Sequence, residues 1–139
     1  MVISIFNLKG GVGKSSTALN LGAALMASGM RVLLVDNDVQ GNLTAALGYT
    51  PAELKNTLAK LLLAAIDTPE DLELHIPRTI LHTESGIDLI PANKRLSDAA
   101  ARLQVMQLSQ YNAVGIADAP SEKVMGSVVE HLCGDYDYM

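Results

Sequence analysis

The stretch that most constrains this chain is Lys9-Gly10-Gly11-Val12-Gly13-Lys14-Ser15-Ser16. Before it, Met1-Val2-Ile3-Ser4-Ile5-Phe6-Asn7 is a short apolar run with β-branched residues, which predicts a buried parallel strand. After it, Thr17 to Ser28 places Leu21, Ala24 and Leu25 at helical spacing, predicting a helix that starts near Lys14. Strand, glycine loop and helix in that order are the context a phosphate-binding loop requires. Glycines let successive N–H groups turn inward as a nest for anions, and the helix start adds unpaired N–H groups and the positive end of its dipole. On this reading Gly10, Gly11, Val12 and Gly13 form the backbone cradle, and Lys14 reaches the β and γ phosphates. The Ser15 hydroxyl ligates Mg²⁺, with Ser16 beside it on the nucleotide. The competing reading, a glycine-rich turn with a chance Lys-Ser, leaves the flanking strand and helix patterns unexplained.

A second signal lies one crossover further on. Gly29 stands where a left-handed helix cap belongs, and Val32-Leu33-Leu34-Val35 is another continuous apolar run ending abruptly in Asp36-Asn37-Asp38. The two strands and intervening helix form a βαβ unit, whose ligands sit at the carboxyl ends of the strands. The glycine loop and Asp36–Asp38 therefore share one crevice. Carboxylates beside a phosphate site repel the ligand unless a metal ion or an attacking water needs them. Asp36 and Asp38 are accordingly candidates for holding Mg²⁺ or for orienting an attacking water. Taken singly, either Asp also reads as a plain helix cap.

Two features of these segments carry a family likeness. Leu8 stands where the general loop pattern has glycine, and Lys9 directly precedes the first glycine. That variant resembles the deviant Walker A loop of the ParA/Soj/MinD superfamily of ATPases. Asp36-Asn37-Asp38-Val39-Gln40-Gly41-Asn42 resembles the switch segment of the ParA/Soj partition branch, with Val39 in place of that branch's proline. Gln40-Gly41-Asn42 sets it apart from the MinD-like, membrane-cycling branch, which is the alternative. Ile87-Asp88-Leu89-Ile90-Pro91-Ala92-Asn93 is similar to the third-strand region of Soj-type proteins, so the likeness covers most of residues 1–96.

The resemblance implies ATP and Mg²⁺ as ligands. It implies an ATP-dependent homodimer in which Lys9 crosses to the partner's phosphates, with Lys9, Lys14 and Asp38 catalytic and Asn42 near the γ-phosphate. Relatives of this kind act in chromosome or plasmid partitioning, with non-specific DNA and a ParB-like protein as partners. It also implies that Gly134-Asp135-Tyr136-Asp137-Tyr138-Met139 leads towards a strand that ends in the Walker B aspartate and neighbours the first strand. Residues 1–139 are thus expected to be the N-terminal part of a single α/β P-loop NTPase domain. Its mostly parallel sheet is flanked by helices and truncated before the Walker B strand. A chain so cut exposes a sheet edge, binds nucleotide weakly and hydrolyses it negligibly; a nucleotide-binding remnant without catalysis is the other alternative.

The remaining chain is read as scaffold. Leu54, Leu58, Leu61, Leu62 and Ala65 predict a helix over 52–66, and Pro69-Glu70-Asp71-Leu72 a short helical turn. Ile80–His82 and Ile87–Pro91 predict two strands joined by a turn at Gly86. Helices are expected over 96–108 and 121–132, with 111–120 irregular between them because of Gly115 and Pro120. His75, His82 and His131 lie far apart without ligand spacing to a cysteine or carboxylate, which reads as surface or satisfied histidines. A net charge of −5, with Lys and Arg dispersed, weighs against strong DNA binding by this chain alone. The single cysteine, Cys133, and the absence of a leader-like or membrane-spanning run predict a cytoplasmic protein with no membrane partner.

Overall fold

The computed structural model describes residues 1–114 and 120–139. Six α-helices surround a small mixed sheet: α1 (Lys14–Ala27), β1 (Leu33–Val35), α2 (Asn42–Ala46), α3 (Leu58–Asp67), α4 (Leu72–Thr79), β2 (Leu81–His82), β3 (Asp88–Ile90), α5 (Leu96–Val114) and α6 (Pro120–Leu132). The sheet order is β1-β3-β2, with β1 parallel to β3 and β2 antiparallel to it.

Both central strands are apolar at every position but Asp88 because each is covered on both faces. Alternation sends Val32, Leu34, Ile87 and Leu89 into one core with residues of α1 and Leu43. It sends Leu33 and Ile90 into the other, with Leu58, Leu61 and Leu62 of α3, Leu72 and Ile76 of α4, Leu96 and Ala99 of α5, and Val124, Val128 and Leu132 of α6. The result is three layers. Gly22 is the point where α1 rides on the sheet: a Cβ there would stand 3.1 Å from Leu34 Cδ2. Gly29, at φ 85°, ends α1 in a left-handed cap, with Met30 N–H reaching back to the Leu25 carbonyl at 3.2 Å.

Four expectations need correction. Met1–Asn7 is not a buried strand: only Met1 and Ile3 make backbone bonds there, and Val2 and Phe6 are 52% and 78% exposed. The helix expected over 52–66 is interrupted. A single 3₁₀ turn, Pro51–Glu53, is followed by an irregular segment, and α3 begins at Leu58. Asn93 explains the break, because its Nδ2 donates to the carbonyls of Leu54 (3.0 Å) and Pro51 (3.4 Å) while Leu58 N–H donates to Pro91 O at 2.8 Å. These bonds hold the segment against the exit of β3 and take carbonyls a helix needs. The turn at Pro69 leads into a full two-turn helix, α4. The stretch read as irregular from Tyr111 is helical to Val114, and 115–119, with Gly115, lie outside the described residues.

The C-terminal residues occupy a telling place. Tyr138 N–H donates to Arg31 O (3.2 Å) and Tyr138 O accepts from Leu33 N–H (3.0 Å), the pattern of a parallel ladder. On the other side Met139 N–H donates to Met1 O (2.9 Å) and Met139 O accepts from Ile3 N–H (2.8 Å). Residues 137–139 thus lie between Met1–Ile3 and β1 as a parallel strand one rung deep. Among the described residues no helix is long and apolar enough to cross a membrane.

Candidate functional site

The glycine loop joins the N-terminal segment, which forms no strand, to the start of α1 at the carboxyl pole of the sheet. Gly11 and Gly13 take φ 71° and 85°, the left-handed region that side chains disfavour; Gly10 does not. Gly13 is the N-cap of α1, and no side chain caps it. Among the described residues the N–H groups of Lys14, Ser15 and Ser16 have no protein partner, and a helix start of this kind attracts anions. Among the described residues no hydrogen bond reaches the hydroxyls of Ser15 or Ser16. Lys14 folds back, its Nζ donating to Lys9 O at 3.3 Å, and Lys9 N–H donates to Asn7 Oδ1 at 2.9 Å. Lys9 is exposed, and among the described residues its ammonium has no acidic partner. The donor set (a helix start, two left-handed glycines, one lysine and a free hydroxyl) suits a polyphosphate with its Mg²⁺.

The Asp36–Asn42 loop leaves β1 at the same pole, and α2, which follows it, packs beside α1. Asp36 is 3% exposed and its carboxylate is heavily used. Its Oδ2 accepts from Thr44 N–H (2.8 Å) and Thr44 Oγ1 (2.6 Å), and its Oδ1 from Asp38 N–H (3.2 Å). Asp36 thereby caps α2 from a distance, since Thr44 sits in its first turn. Asp38 is half-buried, with Oδ1 accepting from Gln40 N–H (3.0 Å) and Oδ2 from Asn42 Nδ2 (2.6 Å). Asp38 and Asn42 are thus brought together by a direct hydrogen bond. Among the described residues no group of three or more His, Cys, Asp or Glu side chains that could hold a metal ion forms.

Sequence reasoning missed two residues here. Thr44 Oγ1 also accepts from Ala92 N–H at 3.0 Å, so one hydroxyl ties Asp36, α2 and the exit of β3 together. Gly41 (φ 65°) caps α2 where a Cβ would meet Pro51 Cγ at 2.8 Å and Ala92 O at 2.9 Å. The signal for Thr44 is a Thr eight residues beyond a strand-ending Asp. Its partner Ala92 is 48 residues away and has no signal. His82 Nδ1 contacts Asp88 Oδ1 at 2.7 Å and His131 lies 4.0 Å from Glu73, but His75 is not the surface or satisfied histidine expected: its Nδ1 is buried without a hydrogen-bond partner among the described residues.

A family model for the AAA domain matches residues 1–139. The chromosome partitioning protein ParA of Caulobacter vibrioides is 42% identical over 103 residues, 73% of this chain and 36% of that protein. The sporulation initiation inhibitor protein Soj of Bacillus subtilis is 42% identical over 102 residues, 68% of this chain and 40% of that protein. A solved structure, cobyrinic acid a,c-diamide synthase from Mycobacterium smegmatis with a bound ATP analogue and magnesium, superposes with a TM-score of 0.78 at 34% identity, covering 99% of this chain and 48% of that one. The chain therefore spans about two fifths of these curated relatives and about half of the solved neighbour.

Proposed function

The chain belongs to the AAA-domain family, and from that premise we propose that it is the nucleotide-binding part of a ParA/Soj-type partition ATPase. One observation carries the proposal: an uncapped α1 start behind Gly11 and Gly13, with Ser15 unbonded, shares a pole with the Asp36–Asn42 loop. ATP would lie on Gly10 to Ser16, with Lys14 released from Lys9 O to meet the β and γ phosphates. Mg²⁺, when bound, neutralises developing charge on the phosphates. Ser15 is its direct protein ligand, and Asp36 and Asp38 hold its waters or the attacking water. Asn42 orients Asp38 through their 2.6 Å bond.

Dimerisation follows from Lys9. An exposed lysine without an acidic partner, on the rim of a phosphate cradle, supplies positive charge to a second subunit's nucleotide, as an arginine finger does in trans. In the whole protein the ATP dimer would bind DNA non-specifically and respond to a ParB-like partner. The 139-residue chain itself would bind nucleotide weakly and turn it over negligibly, because Lys9 to Gly13 of the cradle are exposed to water.

The test is binding of a fluorescent ATP analogue with Mg²⁺ to this chain and its variants. Lys14→Ala should weaken binding at least about tenfold, a loss of about 1.4 kcal/mol. Lys9→Ala should leave monomer binding intact but abolish ATP-dependent association measured by light scattering. Equal affinity in the Lys14→Ala protein would sink the cradle assignment. Unchanged association in the Lys9→Ala protein would reject the trans lysine. Robust turnover that Lys14→Ala removes would overturn the weak-enzyme reading.

A further inference from the structure

Lys and Arg are dispersed along the sequence, but the fold gathers four of them around Asn93 at the exit of β3. Asn93 Nδ2 donates to Leu54 O (3.0 Å) and Pro51 O (3.4 Å), and its Oδ1 accepts from Arg95 N–H (3.1 Å). Leu58 N–H donates to Pro91 O at 2.8 Å, which brings the start of α3 to the same place. Lys55 and Lys60, from the segment entering α3, are therefore neighbours of Lys94 and Arg95, which lead into α5. Lys55, Lys94 and Arg95 are exposed; Lys60 is half-buried, its Nζ donating to Asn56 Oδ1 at 2.9 Å. Among the described residues none of the four pairs with a carboxylate, whereas Arg31 and Arg102 do, with Asp137 (3.7 Å) and Asp67 (2.6 Å). This placement is unfavourable to the chain by itself. Lys60 lies in the first turn of α3, which holds no acidic residue, and Lys94 and Arg95 directly precede α5. Cations there face the positive ends of two helix dipoles as well as one another. A local rule broken three times in one place marks a surface kept for function.

We propose that this patch docks a short acidic segment of another protein, whose carboxylates face Lys55, Lys60, Lys94 and Arg95. Three of the four cations are lysines, which offer point charges on flexible stems rather than the planar fork that grips a phosphate in two places. Glu53 and Asp98 flank the patch, and the chain as a whole carries a net charge of −5. A long polyanion laid across the patch runs on into like charge, whereas a segment of a few residues meets the cations alone. The contact consists of exposed ion pairs, each contributing about twofold to fivefold in affinity and weakened by salt. It makes no use of Lys9, Lys14 or the rest of the glycine loop, so it stands or falls independently of nucleotide binding.

The probe is a fluorescein-labelled peptide, Gly-Glu-Asp-Glu-Asp-Glu-Asp, added to the 139-residue chain at low ionic strength and followed by fluorescence anisotropy. The parent binds it, and a triple variant carrying Lys55→Gln, Lys94→Gln and Arg95→Gln binds it about tenfold more weakly. The same triple variant unfolds at a higher urea concentration than the parent, because repulsion at the two helix starts is relieved. A double variant carrying Lys9→Ala and Lys14→Ala, altered in the glycine loop alone, binds the peptide as the parent does. Equal peptide affinity in the parent and the triple variant overturns the proposal, and so does equal binding of the uncharged Gln-Asn counterpart of the peptide. A triple variant less stable than the parent also overturns it, since the cations would then serve the fold. So does a short DNA duplex that binds through the same three residues more tightly than the peptide, which would make the partner a nucleic acid.

Discussion

At the scale of single residues, the site's frame depends on Thr44 more than on any residue that touches a ligand. Its hydroxyl donates to Asp36 Oδ2 at 2.6 Å and accepts from Ala92 N–H at 3.0 Å, and the side chain is fully buried. Thr44→Val keeps the shape and removes both bonds, leaving a buried N–H and a buried carboxylate short of partners, at a cost of about 2 kcal/mol. Thr44→Ser keeps the hydroxyl and gives up one methyl, costing about 1 kcal/mol or less. Urea unfolding should rank the serine variant above the valine one; the reverse order would mean that packing, not the bridge, is what Thr44 supplies. Gly41 makes a second contrast. An added Cβ there meets backbone and proline below 3.0 Å at φ 65°, whereas at Gly48 (φ 89°) it meets nothing within 4 Å. Gly48→Ala should cost about 1 kcal/mol from backbone strain alone. Gly41→Ala should cost clearly more, about 3 kcal/mol, because the loop carrying Asp38 and Asn42 has to move as well. Equal midpoints for the two variants would show that the Gly41 approach is soft.

At the scale of elements, what could be read from the sequence is what local spacing decides. The left-handed glycines of the loop before α1, α1 and its glycine cap, the β2–β3 hairpin and α6 all follow from residues within one turn or strand of each other. Failures came where a distant group intervened. Asn93 breaks the helix expected from Ala52 by claiming the Leu54 and Pro51 carbonyls. Met1–Asn7 has a strand's composition, but its backbone pairing, with Met139, is confined to Met1 and Ile3. The link between β3 and the C-terminal segment was equally illegible: Tyr136 donates its phenol to Asp88 Oδ2 at 2.6 Å across 48 residues. Burial, and then the bond to Asp88 with its charge and that of Asp135, push the Tyr136 phenol well above its ordinary value, with Arg31 opposing. A raised folded pKa means that the folded state holds this proton more tightly than the unfolded chain. Its contribution is complete below about pH 10 and is lost as pH rises through the folded value. Tyr136→Phe should therefore cost about 1 kcal/mol at neutral pH, and the gap to the parent should narrow above pH 10. Chemical denaturation at pH 7 and at alkaline pH checks this; a gap constant across the range would remove Asp88 as the cause.

At the scale of the whole molecule, stability and function are placed at opposite ends of a gradient. The two cores meet on β1 and β3, whose Leu33, Leu89 and Ile90 are fully buried. The segment ahead of α1, by contrast, has only the half-buried Ile5 below the exposed class. Few buried contacts and few backbone bonds place residues 4–13 at the low-stability end of the chain. Trypsin should therefore cut first after Lys9 or Lys14 and leave the rest of the chain intact much longer. A ligand that holds the loop closed suppresses opening by the factor 1 + [L]/Kd, so Mg-ATP at ten times its Kd should slow that first cut about tenfold. Lys14→Ala, which leaves Lys9 as a cleavage point, should lose this protection. If Mg-ATP protects the Lys14→Ala protein as well as the parent, the loop is not where the nucleotide binds.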